Sequence, residues 1–303
     1  MTRIALVLLG CLAVVPASAE PALRICLQSN DPPLSSRRGG EAGGFDVALA
    51  RLVAQRLGRP LEMQWFVTRA DPDSNPVTEA NALLSDQRCE LVADYPLVAD
   101  KLGRPRAATG RLPPFEGATP EDRRRWISLG TLVPTRPYRF DAVTVALSPD
   151  HAARIVHSLG DLVGLRIGVE IHGLPDLMAM TYREGELAEH VVHFSWSRTL
   201  FGQLEAGSID AALIETRALD AWCLAHPATG IAATGYTHSI GFNIGFVGLP
   251  AGGALIEQVN AILAELLADG SLKNAAQTAS MTYLPPRPPD ISSGLSLGSL
   301  RGD

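Results

Sequence analysis

Short apolar runs alternate with amphipathic segments along the first half of the chain. The runs at 22–27, 61–67 and 89–96 lack helical spacing and predict buried strands. A short helix is predicted around 79–86. A longer helix that ends at Gly58 is predicted from apolar residues at helical spacing, which are Phe45, Leu49, Leu52, Val53 and Leu57. Strands that alternate with helices are typical of a parallel sheet with crossover connections.

The same order of elements returns after Asp161. A strand, a glycine-containing loop and a helix are predicted within 161–180, followed by a strand at 189–196, a helix at 198–207 and a strand at 209–215. Extended segments are predicted at 138–147 and 235–250, and helices at 254–270 and 273–279. The second half of the chain is thus predicted to repeat the architecture of the first half.

Composition excludes several classes of protein. The chain has 303 residues with 46% hydrophobic and 19% charged residues, which fits a globular protein large enough for two lobes. The formal net charge is -6, and no stretch concentrates enough basic residues to bind a phosphate backbone. Nucleic acid is therefore not expected as a partner.

The first residues predict export from the cytoplasm. A positive start at 1–3, an apolar run at 4–15 and the small residues at 17–19 before Glu20 have the form of a cleaved signal peptide over 1–19. We therefore expect a periplasmic protein. A lipid anchor at Cys11 in the sequence LLGC is the less favoured alternative, because more apolar sequence follows that cysteine than precedes it.

Three cysteines remain after that signal. Cys26, Cys89 and Cys223 allow a Cys26–Cys89 disulfide with one thiol left over, or three buried free thiols, and the sequence does not decide between them. No C-x-x-C occurs, so a zinc site has no support.

Several segments in a fixed order carry a family resemblance: GGFDVALARLVAQRLG, CELVADYP, TRPYRFDAVTVAL, DLVGLRIGVEIHG, LEAGSIDAALIE and LIEQVNAILAELLADGSL. Together they resemble bacterial family 3 periplasmic solute-binding proteins over nearly all of 22–284. The resemblance implies the type II periplasmic-binding-protein fold: two α/β lobes, each with a mostly parallel sheet flanked by helices, joined by two crossing strands.

In that fold a small ligand is enclosed between the lobes. Lobe 1 would comprise 20–145 plus 241–290 and lobe 2 would comprise 146–240, with a disordered tail at 285–303. The implied function is to bind a small organic solute and to deliver it to the membrane permease of an ABC transporter. The resemblance also implies a monomer that needs no cofactor. The opening cysteine, CELVADYP and TRPYR also resemble accessory proteins of periplasmic quinoprotein alcohol dehydrogenases, which leaves that role as an alternative.

The resemblance points to ligand contacts in lobe 1. Ser29, Asn30 and Asp31 follow the first strand, where short polar side chains bind a ligand or simply form a turn. Tyr95 follows the third strand, where an aromatic ring could stack on a solute.

Family members that bind amino acids use an arginine in T-P-E-R to hold the ligand carboxylate. Here Thr119-Pro120-Glu121-Asp122-Arg123 is one residue out of register, which puts amino-acid binding in doubt. The arginines at 123–125 are expected on a solvated helix face. Arg136 is the alternative anion ligand, because a guanidinium group matches a carboxylate.

In lobe 2, His172 and Gly173 occupy the family's ligand loop at a helix start, where free backbone donors favour an anion. Glu215 stands in place of the aspartate that receives a ligand ammonium group, although it could equally be an exposed strand-end carboxylate. His190 and His193 should point to opposite faces of a strand, so no metal site is expected.

Catalysis is not predicted. No G-x-S-x-G, P-loop or H-E-x-x-H motif is present. Some proteins of this fold are periplasmic enzymes of the dehydratase type, and that alternative would need a cleft acid with a raised pKa, for which Glu215 is the candidate.

Overall fold

The computed structural model describes residues 20–38, 40–68 and 75–294. The predicted signal at 1–19 and the end of the predicted tail at 295–303 lie outside them. The strands in chain order are β1 (Leu23–Gln28), β2 (Asn30–Asp31), β3 (Ser35–Arg38), β4 (Glu41–Gly43), β5 (Leu61–Phe66), β6 (Leu91–Pro96), β7 (Thr109–Arg111), β8 (Trp126–Ser128), β9 (Val133–Pro134), β10 (Arg139–Leu147), β11 (Ile167–Glu170), β12 (Val191–Phe194), β13 (Ala211–Glu215) and β14 (Ala232–Gly248). The helices are α1 (Phe45–Leu57), α2 (Pro76–Ser85), α3 (Leu174–Thr181), α4 (Ser197–Glu205), α5 (Thr216–Ala225), α6 (Gly253–Ala268) and α7 (Ser271–Thr278).

Lobe 1 is built on the parallel strands β5, β1 and β6. β1 pairs with β5 over its whole length, from Leu23 opposite Leu61 to Gln28 opposite Phe66. The apolar faces of α1 and α6 pack on this sheet through side chains such as Val53. The predicted apolar runs therefore became buried strands, because helices cover the sheet.

Lobe 2 repeats this arrangement with the parallel strands β12, β11 and β13. Its core contains Ile167, Val169, Met178 and Leu213, contributed by two strands and α3. The repeated strand and helix order predicted from the sequence is confirmed, and each lobe has its own apolar core.

Two long strands join the lobes. β10 runs antiparallel to β14, with Arg139 opposite Ile244 at the lobe 1 end and Leu147 opposite Ala232 at the lobe 2 end. Their close crossing requires a glycine, since a Cβ at Gly241 would lie 2.1 Å from the carbonyl oxygen of Asp141. The predicted crossing strands are confirmed, and they carry the hydrogen-bonded path from one sheet to the other.

The pairing of the cysteines is settled in favour of a disulfide. Cys26 in β1 is bonded to Cys89, with a Cα–Cα distance of 5.6 Å, and Cys223 is a free, half-buried thiol. Both bonded cysteines lie in the lobe 1 core. The bond therefore joins β1 to the segment that leads into β6.

The chain after α7 differs from the predicted disordered tail. Residues 282–292 run along β10 and β14, and buried Asn243 binds them: its Nδ2 donates to the carbonyl oxygen of Pro289 at 3.0 Å, and its Oδ1 accepts from the N–H of Arg287 at 3.0 Å. Ser292 exchanges backbone hydrogen bonds with Leu97 and Ala99. Backbone groups that find protein partners in this way stay ordered despite the proline-rich composition.

By length and composition, Pro250–Ala268 could cross a membrane. This segment includes α6, whose buried residues Val259, Leu263 and Leu266 pack into the lobe 1 core. In this fold it is a core helix.

Candidate functional site

A crevice of about 410 Å³ lies between the lobes, a size suited to a small organic molecule. Lobe 1 contributes Asp31 and Pro32 at the end of β2, and lobe 2 contributes the ends of β11 and β13 and the first turns of α3, α4 and α5. The lobe 2 lining is Glu170, Ile171, His172, Gly173, Pro175, Ser197, Leu213, Ile214, Glu215, Arg217, Ala218 and Ala221. The crevice thus lies at the carboxyl ends of the parallel strands, as open α/β sheets require.

Arg217 on α5 connects three parts of the molecule across this crevice. Its Nη2 lies 2.8 Å from Oε2 of Glu215, its Nε lies 3.5 Å from Oδ2 of Asp141 in β10, and its Nη1 lies 3.8 Å from Oδ1 of Asp31 in lobe 1. The Arg217 side chain remains 39% exposed. A solute that enters the crevice therefore meets this guanidinium group and the carboxylates of Asp31 and Glu215.

A second arginine lies beneath the first. Arg139 is only 3% exposed, forms an ion pair with Asp94, and has its Nη1 3.5 Å from Oδ2 of Asp141. Burial alone would lower the pKa of Arg139, but the charges of Asp94 and Asp141 outweigh burial and raise it. Arg139 is thus a permanently charged structural support under the crevice.

We call Asp31, Asp94, Arg139, Asp141, Glu215 and Arg217 the acid–arginine cluster. Asp94 reaches it from β6 with a left-handed backbone (φ 57°), and the N–H of Asp94 donates to the hydroxyl of buried Tyr138 at 2.8 Å. That hydroxyl donates in turn to Oδ1 of Asp46 at 3.2 Å. The strained backbone at Asp94 is held by these bonds.

Carboxyl groups are in excess in this cluster, four against two guanidinium groups. Burial, followed by the charge of Asp94, raises the pKa of Asp31 to about 6, and the two arginines compensate only in part. Burial and Asp94 also raise the pKa of Asp46 well above its usual range, which favours the neutral form of that group. The raised pKa values of Asp31 and Asp46 thus reflect burial together with this excess of carboxyl groups.

Four of the predicted site residues line the crevice: Asp31, His172, Gly173 and Glu215. Ser29 and Asn30 lie beside it. Ser29 donates its N–H to the carbonyl oxygen of Phe66, and Asn30 pairs with Ser36 in the β2–β3 ribbon. Ser29 and Asn30 thus belong to the turn and the β2–β3 ribbon that position Asp31.

Tyr95 and Arg136 do not line the interlobe crevice. Tyr95 is 3% exposed, and its hydroxyl donates to the carbonyl oxygen of Lys101 at 2.7 Å inside lobe 1. Arg136 is exposed beside α6, where its N–H donates to Oδ1 of Asn260. Tyr95 instead lines a separate cavity of about 690 Å³ within lobe 1, so the two predicted ligand contacts do not meet in the interlobe crevice.

The predicted anion site at the start of α3 contains a carboxylate of the chain itself. The N–H of His172 donates to Oδ2 of Asp176 at 3.0 Å, and Oδ1 of the same carboxylate lies 3.0 Å from Nε2 of His193. Asp176 thus stabilises this helix end. Within 20–38, 40–68 and 75–294, no group of three or more His, Cys, Asp or Glu residues could hold a metal ion.

The arginines at 123–125 belong to a 3₁₀ turn (Asp122–Arg124) and the residue that follows it, where the sequence predicted a helix face. All three are exposed as expected, and Arg125 also pairs with Asp86 at 2.7 Å. Sequence reasoning missed the cluster members Asp94, Arg139, Asp141 and Arg217. Arg139 lies in the same TRPYR motif as Arg136, the arginine that the sequence suggested as an anion ligand.

Comparison with solved structures identifies the class of fold. The L-cystine solute receptor of Neisseria gonorrhoeae in its unliganded open conformation is 17% identical, covers 88% of this chain and 96% of its own, and superposes with a TM-score of 0.62. The second substrate-binding domain of a putative amino acid ABC transporter from Streptococcus pneumoniae is 16% identical, with coverage of 86% and 100% and a TM-score of 0.59. An ancestral cationic amino acid solute-binding protein is 17% identical, with coverage of 85% and 94% and a TM-score of 0.57.

The chain therefore has the periplasmic-binding-protein fold, and the resemblance stated from the sequence is confirmed at the level of the fold. No protein-family model matches the chain. No curated protein matches it either.

Proposed function

We propose that this protein captures a small organic solute with a cationic group between its lobes, in the periplasm, and delivers it to an ABC transporter without catalysis. The excess of carboxyl groups in the acid–arginine cluster carries the proposal. Asp31 from lobe 1 and Glu215 from lobe 2 face the same crevice, so one ammonium or guanidinium group could bridge the lobes between them.

Two further observations support a binding role. The similar structures include a cystine receptor and a cationic amino acid binding protein, whose names refer to ligands that carry ammonium groups. The Cys26–Cys89 disulfide is typical of an oxidising compartment such as the periplasm. The accessory role beside a quinoprotein dehydrogenase stays a prediction, and co-purification of such an enzyme without any solute-induced thermal shift would favour it.

Thermal denaturation with matched solutes tests the charge preference. We expect L-arginine, L-ornithine or putrescine to raise the Tm, and L-glutamate and succinate to leave it unchanged. A ligand at 100 times its Kd stabilises by about 2.7 kcal/mol, which corresponds to roughly 4–5 °C for a chain of this size. Stabilisation by the anions alone would contradict the proposal.

Replacement of Glu215 tests the site. Glu215→Gln keeps the shape and removes the charge, so the affinity for the stabilising cation should fall about 10- to 100-fold in calorimetric titration. Glu257→Gln on the exposed side of α6 is the matched control and should leave the affinity unchanged. Equal affinities of the two variants would exclude Glu215 as the cation ligand.

The raised pKa of Asp31 predicts a pH dependence. A bound cation favours the ionised carboxylate and lowers its pKa below about 6, so the complex holds fewer protons than the free protein. The affinity should therefore be constant above pH 7 and fall up to tenfold per pH unit below about 6. Titrations from pH 4.5 to 8 measure this, and Asp31→Asn should flatten the profile, whereas a steep profile in that variant would assign the proton elsewhere.

A further inference from the structure

Helix α5 of lobe 2 is hydrogen-bonded to the segment after α7, which belongs to lobe 1. Oδ2 of Asp220 accepts from the N–H of Thr282, and Oδ1 of Asp220 accepts from the hydroxyl of Thr282, both at 2.8 Å. A carboxylate that accepts two bonds from one residue is a specific contact, because both of its oxygens and both donors must be aligned.

Thr282 is fixed to lobe 1 by the residues that follow it. The hydroxyl of Tyr283 donates to the carbonyl oxygen of Tyr138 at 3.0 Å, and the N–H of Phe140 donates to the carbonyl oxygen of Leu284 at 2.9 Å. Both partners lie at the lobe 1 end of β10. The residue therefore moves with lobe 1 when the lobes rotate.

Asp220 is fixed to lobe 2 by its helix. α5 follows β13 directly, and its apolar residue Leu219 packs with Ile214 in the second core of that lobe. The same helix presents Arg217, Ala218 and Ala221 to the crevice. One helix thus forms part of the wall of the proposed binding site and holds the opposite lobe.

We infer that the Asp220–Thr282 pair is an interlobe latch that limits opening of the crevice. A rotation about β10 and β14 that separated α5 from the segment after α7 would have to break both hydrogen bonds together. Arg217 adds a weaker connection to Asp31, at 3.8 Å and partly exposed. The inference rests on the proposed function, since opening is what admits the solute.

Distance measurement between spin labels tests the latch without any solute, so its failure would leave the proposed function standing. Labels at Val67→Cys and Trp196→Cys, which are exposed after the outer strands β5 and β12, report the separation of the lobes in a Cys223→Ser background. The latched protein should give one narrow distance distribution. Asp220→Ala should lower the ratio of latched to opened molecules about tenfold and add a longer distance.

Thr282→Val provides a second variant of nearly unchanged shape that loses only the hydroxyl donor, so a smaller shift in the same direction is expected. Thr278→Val is the matched control, because the Thr278 hydroxyl donates within α7 to the carbonyl oxygen of Asn274. Its distribution should match that of the latched protein. The inference would be overturned if the distance distributions of Asp220→Ala and Thr282→Val superposed on that of the unsubstituted protein. A broad distance distribution in the unsubstituted protein would overturn it as well.

Discussion

Removal of the Cys26–Cys89 disulfide is expected to lower the free energy of unfolding by about 4 kcal/mol. The two cysteines are 63 residues apart, and closing a loop of that length restricts the unfolded chain by about this amount in the chain-entropy model. The bond also ties β1 to the chain that enters β6 in the lobe 1 core, so its loss should destabilise the whole lobe. Urea unfolding of Cys26→Ala/Cys89→Ala, followed by circular dichroism, measures the change.

Cys223→Ala is the control for this experiment. That thiol is free and half-buried, so its replacement should cost less than about 1 kcal/mol. Dithiothreitol should destabilise the control to the level of the double variant and leave the double variant unaffected. An unchanged unfolding midpoint in the reductant would show that the disulfide does not stabilise the fold.

The order of the elements was predictable because local patterns and tertiary packing agree. The helix at Phe45–Leu57 has an apolar face and a glycine at its end, and the structure places both as expected, with Gly58 in the left-handed conformation. The edge of the sheets where the crevice lies also follows from topology, and the family resemblance implied Asp31, His172 and Glu215 as ligand residues at that edge.

The helix that carries Arg217 was missed for a physical reason. α5 begins at Thr216 directly after β13, with no loop and no side-chain cap at Glu215. The sequence there offers no turn former to mark the change from strand to helix. A residue two positions beyond a predicted strand end was consequently overlooked, although it is central to the crevice.

The burial of charged side chains could not be predicted from the sequence either. Arg139 and Asp94 are 45 residues apart and meet only because β6 and β10 both pair with β14. An isolated arginine in a strand of mixed polarity gives no sign that carboxylates will surround it. The burial of Arg139 therefore depends on tertiary pairing that local spacing does not encode.

Loss of the buried ion pair between Arg139 and Asp94 is expected to have the second large effect on stability. Arg139→Met is expected to destabilise the protein by about 3–5 kcal/mol, because it leaves Asp94 in the protein without its counter-charge. The matched control is Arg136→Met in the same motif. Arg136 is exposed and uses its backbone N–H in the contact with Asn260, so this substitution should change stability by less than about 0.5 kcal/mol.

Urea unfolding of both variants measures the difference, and the variant Arg139→Met/Asp94→Asn separates charge from packing. If the cost comes from the unpaired carboxylate, the second substitution should restore part of the lost stability, since a neutral amide needs no counter-charge. A double variant no more stable than Arg139→Met would assign the loss to packing around the missing guanidinium group. Stability of Arg139→Met within 1 kcal/mol of the unsubstituted protein would instead show that water compensates the charge of Asp94, and that the crevice does not depend on the arginine beneath it.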